Sequence, residues 1–167
     1  MARMAQAVSA GALALVLSAC TAPAAPPPSV PATAEPSASA LGQPGCEPAS
    51  PVTAAEFPEI QGTASEGDTL YGLVMGTDPY PFRVSTETVK FVWRFTGDGT
   101  ELTATLTDPA GTHRQLTWGP EYHGGSTYDR PGEEWGTGVT FDRPGCWTLE
   151  LARDIAGDAS VYFDVAL

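Results

Sequence analysis

Positive charge is the scarcest property of this chain. Its 167 residues carry 8 basic side chains against 20 acidic ones, a formal charge of −12, and lysine occurs once, at Lys90. No basic cluster exists, so a polyanion would be repelled and nucleic-acid binding is excluded as a function class. Anionic lipid headgroups would be repelled on the same ground, so contact with a membrane has to come from something other than the protein surface. Cysteine is sparse too, with three residues and no C-x-x-C spacing. No apolar run reaches the ~20 residues that a membrane-spanning helix needs. The nucleophile elbow G-x-S-x-G is missing, and the domain shows no 3.6-residue apolar period.

What is present begins with the segment MARMAQAVSAGALALVLSAC. One positive charge, Arg3, precedes an apolar stretch from about Ala7 to Ala19, the length of a signal-peptide core. Its end, Leu17-Ser18-Ala19-Cys20, resembles the bacterial lipobox. In that chemistry the Cys20 thiol takes a diacylglyceryl group as a thioether, and the small residues before it admit the signal peptidase. Residues 1–19 are therefore expected to be a lipoprotein signal peptide, and Cys20 the lipidated first residue of the mature chain. Two or three acyl chains hold a protein far more firmly than one, at roughly 0.8 kcal/mol per buried CH₂. Without a twin-Arg pair the general secretion route is expected. Loss of residues 1–19 would leave seven basic against 20 acidic side chains, a charge of −13.

Residues 21–45 contain seven prolines, seven alanines and one charge. Such a segment has little to pack, and each proline removes a backbone donor. Residues 20–45 are expected to form a lipid-anchored, disordered Pro/Ala-rich linker. From Cys46 onward the pattern changes to short runs of β-forming residues separated by turn signals. Residues 69–76 suit a central strand. In residues 87–96, Val89, Phe91, Trp93 and Phe95 share one face while Lys90 and Arg94 share the other. Further strands are expected at 101–107, 113–118, 137–141, 146–152 and 159–167. The last two would point Trp147, Leu149 and Leu151, then Val161, Phe163, Val165 and Leu167, inward. The expectation for residues 46–167 is an all-β domain, an antiparallel immunoglobulin-like β-sandwich of about seven strands.

Assigning Cys20 to lipid leaves Cys46 and Cys146 as an even pair in an oxidising location, where a disulfide is expected. Closing a loop of about 100 residues is worth up to roughly 4–5 kcal/mol in the chain-entropy model. A shared metal is the rival reading of the pair, with no nearby histidine to support it.

Between Trp118 and Gly136 lies the densest polar stretch, WGPEYHGGSTYDRPGEEWG. Residues 119–136 are expected to form one long Gly- and acid-rich loop, and long ordered loops are often functional. The candidate ligand-binding residues are Trp118, Glu121, His123, Asp129, Arg130, Glu134 and Trp135. Three readings fit them. His123 with Glu121, Asp129 or Glu133 could hold a divalent ion, although a single histidine gives no regular ligand spacing. Exposed Trp and Tyr beside carboxylates and Arg130 could stack on sugar or peptide. Or the loop is a structural lid, with Trp118 and Trp135 capping one end of the sandwich. Ser126 stands near His123 and Asp129, but all three crowd one loop. The adjacent pair Glu133 and Glu134 points apart, which disfavours glycosidase chemistry.

The stretches W-G-P-E-x-H-G-G-S, R-P-G-x-E-W-G-T-G and P-G-C-W, with the lipobox, resemble a family of small secreted actinobacterial lipoproteins with an Ig-like C-terminal domain. The resemblance covers about residues 58–167. It implies an extracytoplasmic location and an Ig-like domain, and it brings no catalytic residues with it. Together these readings describe a lipid-anchored protein on the extracytoplasmic face of the cell membrane. It is expected to be a non-catalytic binding or envelope-associated module, without a cofactor or bound metal. Its expected partners are the membrane, through the lipid on Cys20, and a cell-wall or envelope ligand. The alternative is an enzyme or metal-handling accessory built on the 119–136 loop.

Overall fold

A computed structural model describes residues 45–167; the expected signal peptide, Cys20 and nearly all of the linker lie outside the described residues. Among the described residues there is no helix, and the strands form two antiparallel sheets. In chain order the strands are β1 (Val52–Thr53), β2 (Glu59–Gln61), β3 (Thr63–Ala64), β4 (Leu70–Met75), β5 (Val89–Phe95) and β6 (Leu102–Thr107). There follow β7 (His113–Arg114), β8 (Trp118–His123), β9 (Glu133–Val139), β10 (Gly145–Arg153) and β11 (Asp158–Val165). One sheet runs β1-β2-β4-β5-β9-β8, and the other β3-β11-β10-β6-β7. The all-β sandwich expected from the alternating pattern is what the described residues adopt. Four strands lie beyond the expected ones: β1, β2 and β3, pieces of two or three residues too short to carry an alternation, and β8, six residues in the stretch expected to be a loop.

Period-two alternation decides which residues meet between the sheets. Phe91, Trp93 and Phe95 of β5 face Leu106, Trp147, Leu149 and Phe163 of the other layer in one buried cluster. The registers pair Trp93 with Trp135 on β9 and with Gly72 on β4. Gly72 has to be glycine, because a Cβ there would overlap the Trp93 six-membered ring. The indole N–H of Trp93 donates to the Thr137 hydroxyl at 2.9 Å, which satisfies both polar groups inside the core. Buried polar groups without such partners cost free energy.

The disulfide Cys46–Cys146 is formed, with the sulfurs 2.01 Å apart. It ties the start of the domain to β10. Beside it, the turn after β6 is held by Asp108, which is 3% exposed. Its Oδ1 accepts the backbone N–H of Ala110 (2.9 Å) and Thr112 (3.0 Å), and its Oδ2 accepts from Arg114 (3.2 Å). Arg143 stands 3.3 Å from the same oxygen, and Asp142 pairs with both arginines. Burial works to raise the Asp108 carboxyl, but these donors bring it below the ordinary value.

Several strand boundaries differ from the sequence-based expectation, each for a physical reason. The run 113–118 is split between the two sheets: β7 pairs with β6, and Trp118 opens β8 beside β9. Half of the expected long loop at 119–136 is strand, with residues 124–132 connecting β8 to β9. Strand β8 conceals itself because it is an edge strand with exposed Glu121 and Tyr122, Gly119, Pro120 and an irregular register between Trp118 and Glu121. Strand β9 starts at Glu133, ahead of the expected Thr137, because its Gly136 and Gly138 are covered by side chains of β8. Leu167, expected inward, is 86% exposed beyond the end of β11.

Candidate functional site

The outer face of the six-stranded sheet is built by the residues that alternate with the core. Strand registers set three rows across β5, β9 and β8: Lys90–Gly138–Trp118, Val92–Gly136–Glu121 and Arg94–Glu134–His123. In the first two rows glycine on β9 leaves room for a ring from β8. A Cβ at Gly138 would overlap the Trp118 indole, and one at Gly136 would come within 2.8 Å of His123 Nε2. The Lys90 ammonium lies 5.9 Å from the centre of the Trp118 ring, a cation–π arrangement.

The third row carries the chemistry. Glu134 is 1% exposed, although it stands on the outer face. Its Oε2 accepts the Ser126 hydroxyl at 2.7 Å and lies 3.3 Å from Arg94 Nε. Its Oε1 is buried and has no hydrogen-bond partner among the described residues. His123 Nδ1 stands 3.6 Å from that oxygen, outside normal hydrogen-bond reach, and the histidine side chain is 33% exposed. Arg94 also donates to the backbone oxygens of Tyr128 (2.8 and 3.1 Å) and Gly132 (2.9 Å), so one guanidinium positions both the carboxylate and the loop above it.

The connection 124–132 is strapped down at its far side by Glu59 of β2. Arg130 donates to Glu59 through Nε and a terminal nitrogen (2.8 and 2.7 Å), and the Tyr128 hydroxyl donates at 2.7 Å. The Arg130 guanidinium also covers the Tyr71 ring at 4.8 Å. The Arg130 bond holds the Glu59 carboxyl below its ordinary value, outweighing burial, with Tyr128 adding to the effect. Burial, with Glu59 as acceptor, pushes the Tyr128 hydroxyl well above its own.

Under this strap the sheet leaves a cleft of about 490 Å³, floored by Leu73, Met75 and Val92 and reached by His123, Asp129 and Glu134. Phe57 stands at the cleft and is 51% exposed. That volume is in the range of small-molecule sites, which pair an apolar lining with a few placed polar groups.

The structure places the seven candidate residues unevenly. His123, Asp129 and Glu134 line the cleft. Arg130 holds the loop against β2 from outside it. Trp118 lies across β9 beside His123. Glu121 stands on β8 away from the cleft lining. Trp135 is 2% exposed within the core cluster, packed edge-on to Tyr122, so it offers no free face for stacking and does not cap a sandwich end with Trp118. Among the described residues no group of three or more His, Cys, Asp or Glu side chains is arranged to hold a metal ion. Ser126 spends its hydroxyl on Glu134 and not on His123.

Sequence reasoning missed Arg94, Glu59 and the apolar floor. One signal was available: Val92 interrupts the polar face of β5 between Lys90 and Arg94, which marks that face as covered. Glu59 sits in a three-residue strand and leaves no such trace. No family model, no curated protein and no solved structure matches this chain.

Proposed function

We propose that this protein is a lipid-anchored, extracytoplasmic binding module that holds a small ligand in the cleft beneath residues 124–132, without catalysing a reaction. The observation that carries the reading is Glu134: a carboxylate buried on the outer face of the sheet, with one oxygen bonded and the other free beside a ready-made cleft. An unfilled buried acceptor costs free energy, and of the three described residues with an unpartnered buried side-chain atom, Thr69, Glu134 and Arg153, Glu134 is the one that lines the cleft. The lipobox ending at Cys20 and the linker after it support the location. The seven strands of six or more residues support the Ig-like description of the sandwich.

The test of the site is a thermal-shift screen of the purified protein against divalent metals, glycans and cell-wall fragments. Stabilisation by an organic ligand that also shifts the NMR resonances of Val92 and His123 supports the cleft. Metal-specific stabilisation lost in His123→Ala would replace this reading with metal handling. Anchoring has its own check: Cys20→Ala is expected to abolish labelling by a palmitate analogue and to release the protein, and continued labelling would overturn the anchor.

A further inference from the structure

The free oxygen of Glu134 also says what kind of ligand the cleft takes. Resting on the reading of that cleft as a binding site, we infer that its ligand is a small primary amine. Its protonated nitrogen would bond Glu134 Oε1, and its apolar body would lie on Leu73, Met75 and Val92. Three observations combine. Oε2 is already filled by Ser126 and Arg94, so the vacancy is for one donor at Oε1. The cleft lining carries two carboxylates, Asp129 and Glu134, against one ammonium, Lys90, whose nitrogen lies over the Trp118 ring. Residues 46–167 as a whole carry seven basic against 19 acidic side chains, a field that draws cations toward the surface. The floor is apolar and the cleft is about 490 Å³, too small for a folded partner and sufficient for a short amine.

His123 is the gate. Its ring stands 3.6 Å from Oε1 and is one-third exposed, so it can swing outward to admit the nitrogen. Hydrogen bonds between two charged groups are about twice as strong as neutral ones, which makes the head group the discriminating part of the ligand.

The test uses three probes with the same six-carbon body: 1-hexylamine, 1-hexanol and hexanoate, titrated into the purified protein by NMR. Hexylamine is expected to bind about tenfold more tightly than hexanol, with hexanoate weakest. Glu134→Gln should lower hexylamine binding to the hexanol level and leave hexanol unchanged, while His123→Ala should keep or tighten amine binding. Equal binding of amine and alcohol by the unaltered protein would overturn the amine and leave the cleft as a binding site. That ranking does not depend on any variant folding. If none of the three probes shifts Val92 or His123, the amine is overturned, and the cleft itself is then judged by the ligand screen. A blocked lysine amide carries the same ammonium on a peptide backbone. Its clear preference over hexylamine would assign the nitrogen to a protein side chain and overturn a free amine.

Discussion

Two buried carboxylates, one near the disulfide and one under the 124–132 connection, have been treated very differently by this fold. Asp108 is 3% exposed, and both of its oxygens are in use, on two backbone N–H groups and two arginines. Glu134 is 1% exposed, and one of its oxygens has no partner among the described residues. The Asp108 region ties a turn to the segment that leads into Cys146, so its polar groups close on one another and hold the domain together. The Glu134 region also has a guanidinium, a hydroxyl and an imidazole at hand, yet it stops one donor short. On the function proposed above, the difference separates bonding that serves the fold from bonding left open for a ligand.

The sharpest ways to break that comparison begin with the disulfide. Replacing both Cys46 and Cys146 with serine should cost about 2–5 kcal/mol in denaturant unfolding, by freeing a loop of 100 residues. Alkylation should find both thiols protected until reductant is added. Asp108→Asn comes next, at about 2–3 kcal/mol, because an amide nitrogen would face either two N–H donors or two guanidinium groups. An Asp108→Asn protein as stable as the parent would show that this network is decoration. Gly138→Ala should cost about 1–2 kcal/mol by pushing the Trp118 ring off β9, read as lower stability with a changed tryptophan fluorescence.

Acid should act locally on the strap. The Glu59 carboxyl is held below its ordinary value of 4.5 by Arg130, so it binds fewer protons when folded than when unfolded. Its contribution is complete above that ordinary value and is lost as pH falls through the lowered one. Backbone amides of residues 124–132 should therefore lose hydrogen-exchange protection as the pH drops below 4.5, and Glu59→Gln should lack this dependence. Protection in the parent that is flat across that range would remove Glu59 as the strap.

Much of this architecture is legible in the sequence. Alternation at Phe91, Trp93 and Phe95 and at Trp147, Leu149 and Leu151 marks the two inner faces correctly, because side-chain period and burial coincide there. The same logic fails at β8 and β9. An edge strand exposed on both faces has no alternation to read, and glycines read as loop signals even when a neighbouring Trp and His supply their cover. For the site, His123, Asp129 and Glu134 stand out because they crowd one stretch of chain. Arg94 and Glu59 reach them only through strand registers that no local pattern encodes.

The central claim is that Glu134 is kept for a ligand and not for the fold. It is tested most directly by placing Glu134→Gln beside Asp108→Asn in the same unfolding experiment. In Glu134→Gln the new amide oxygen can still accept from Ser126 and Arg94, and the amide nitrogen takes the place of an acceptor that had no donor. Glu134→Gln should therefore stay within about 1 kcal/mol of the parent, while its hexylamine binding falls to the hexanol level. A loss of stability as large as that of Asp108→Asn would contradict the account, because Glu134 would then be one more group that holds the sandwich together.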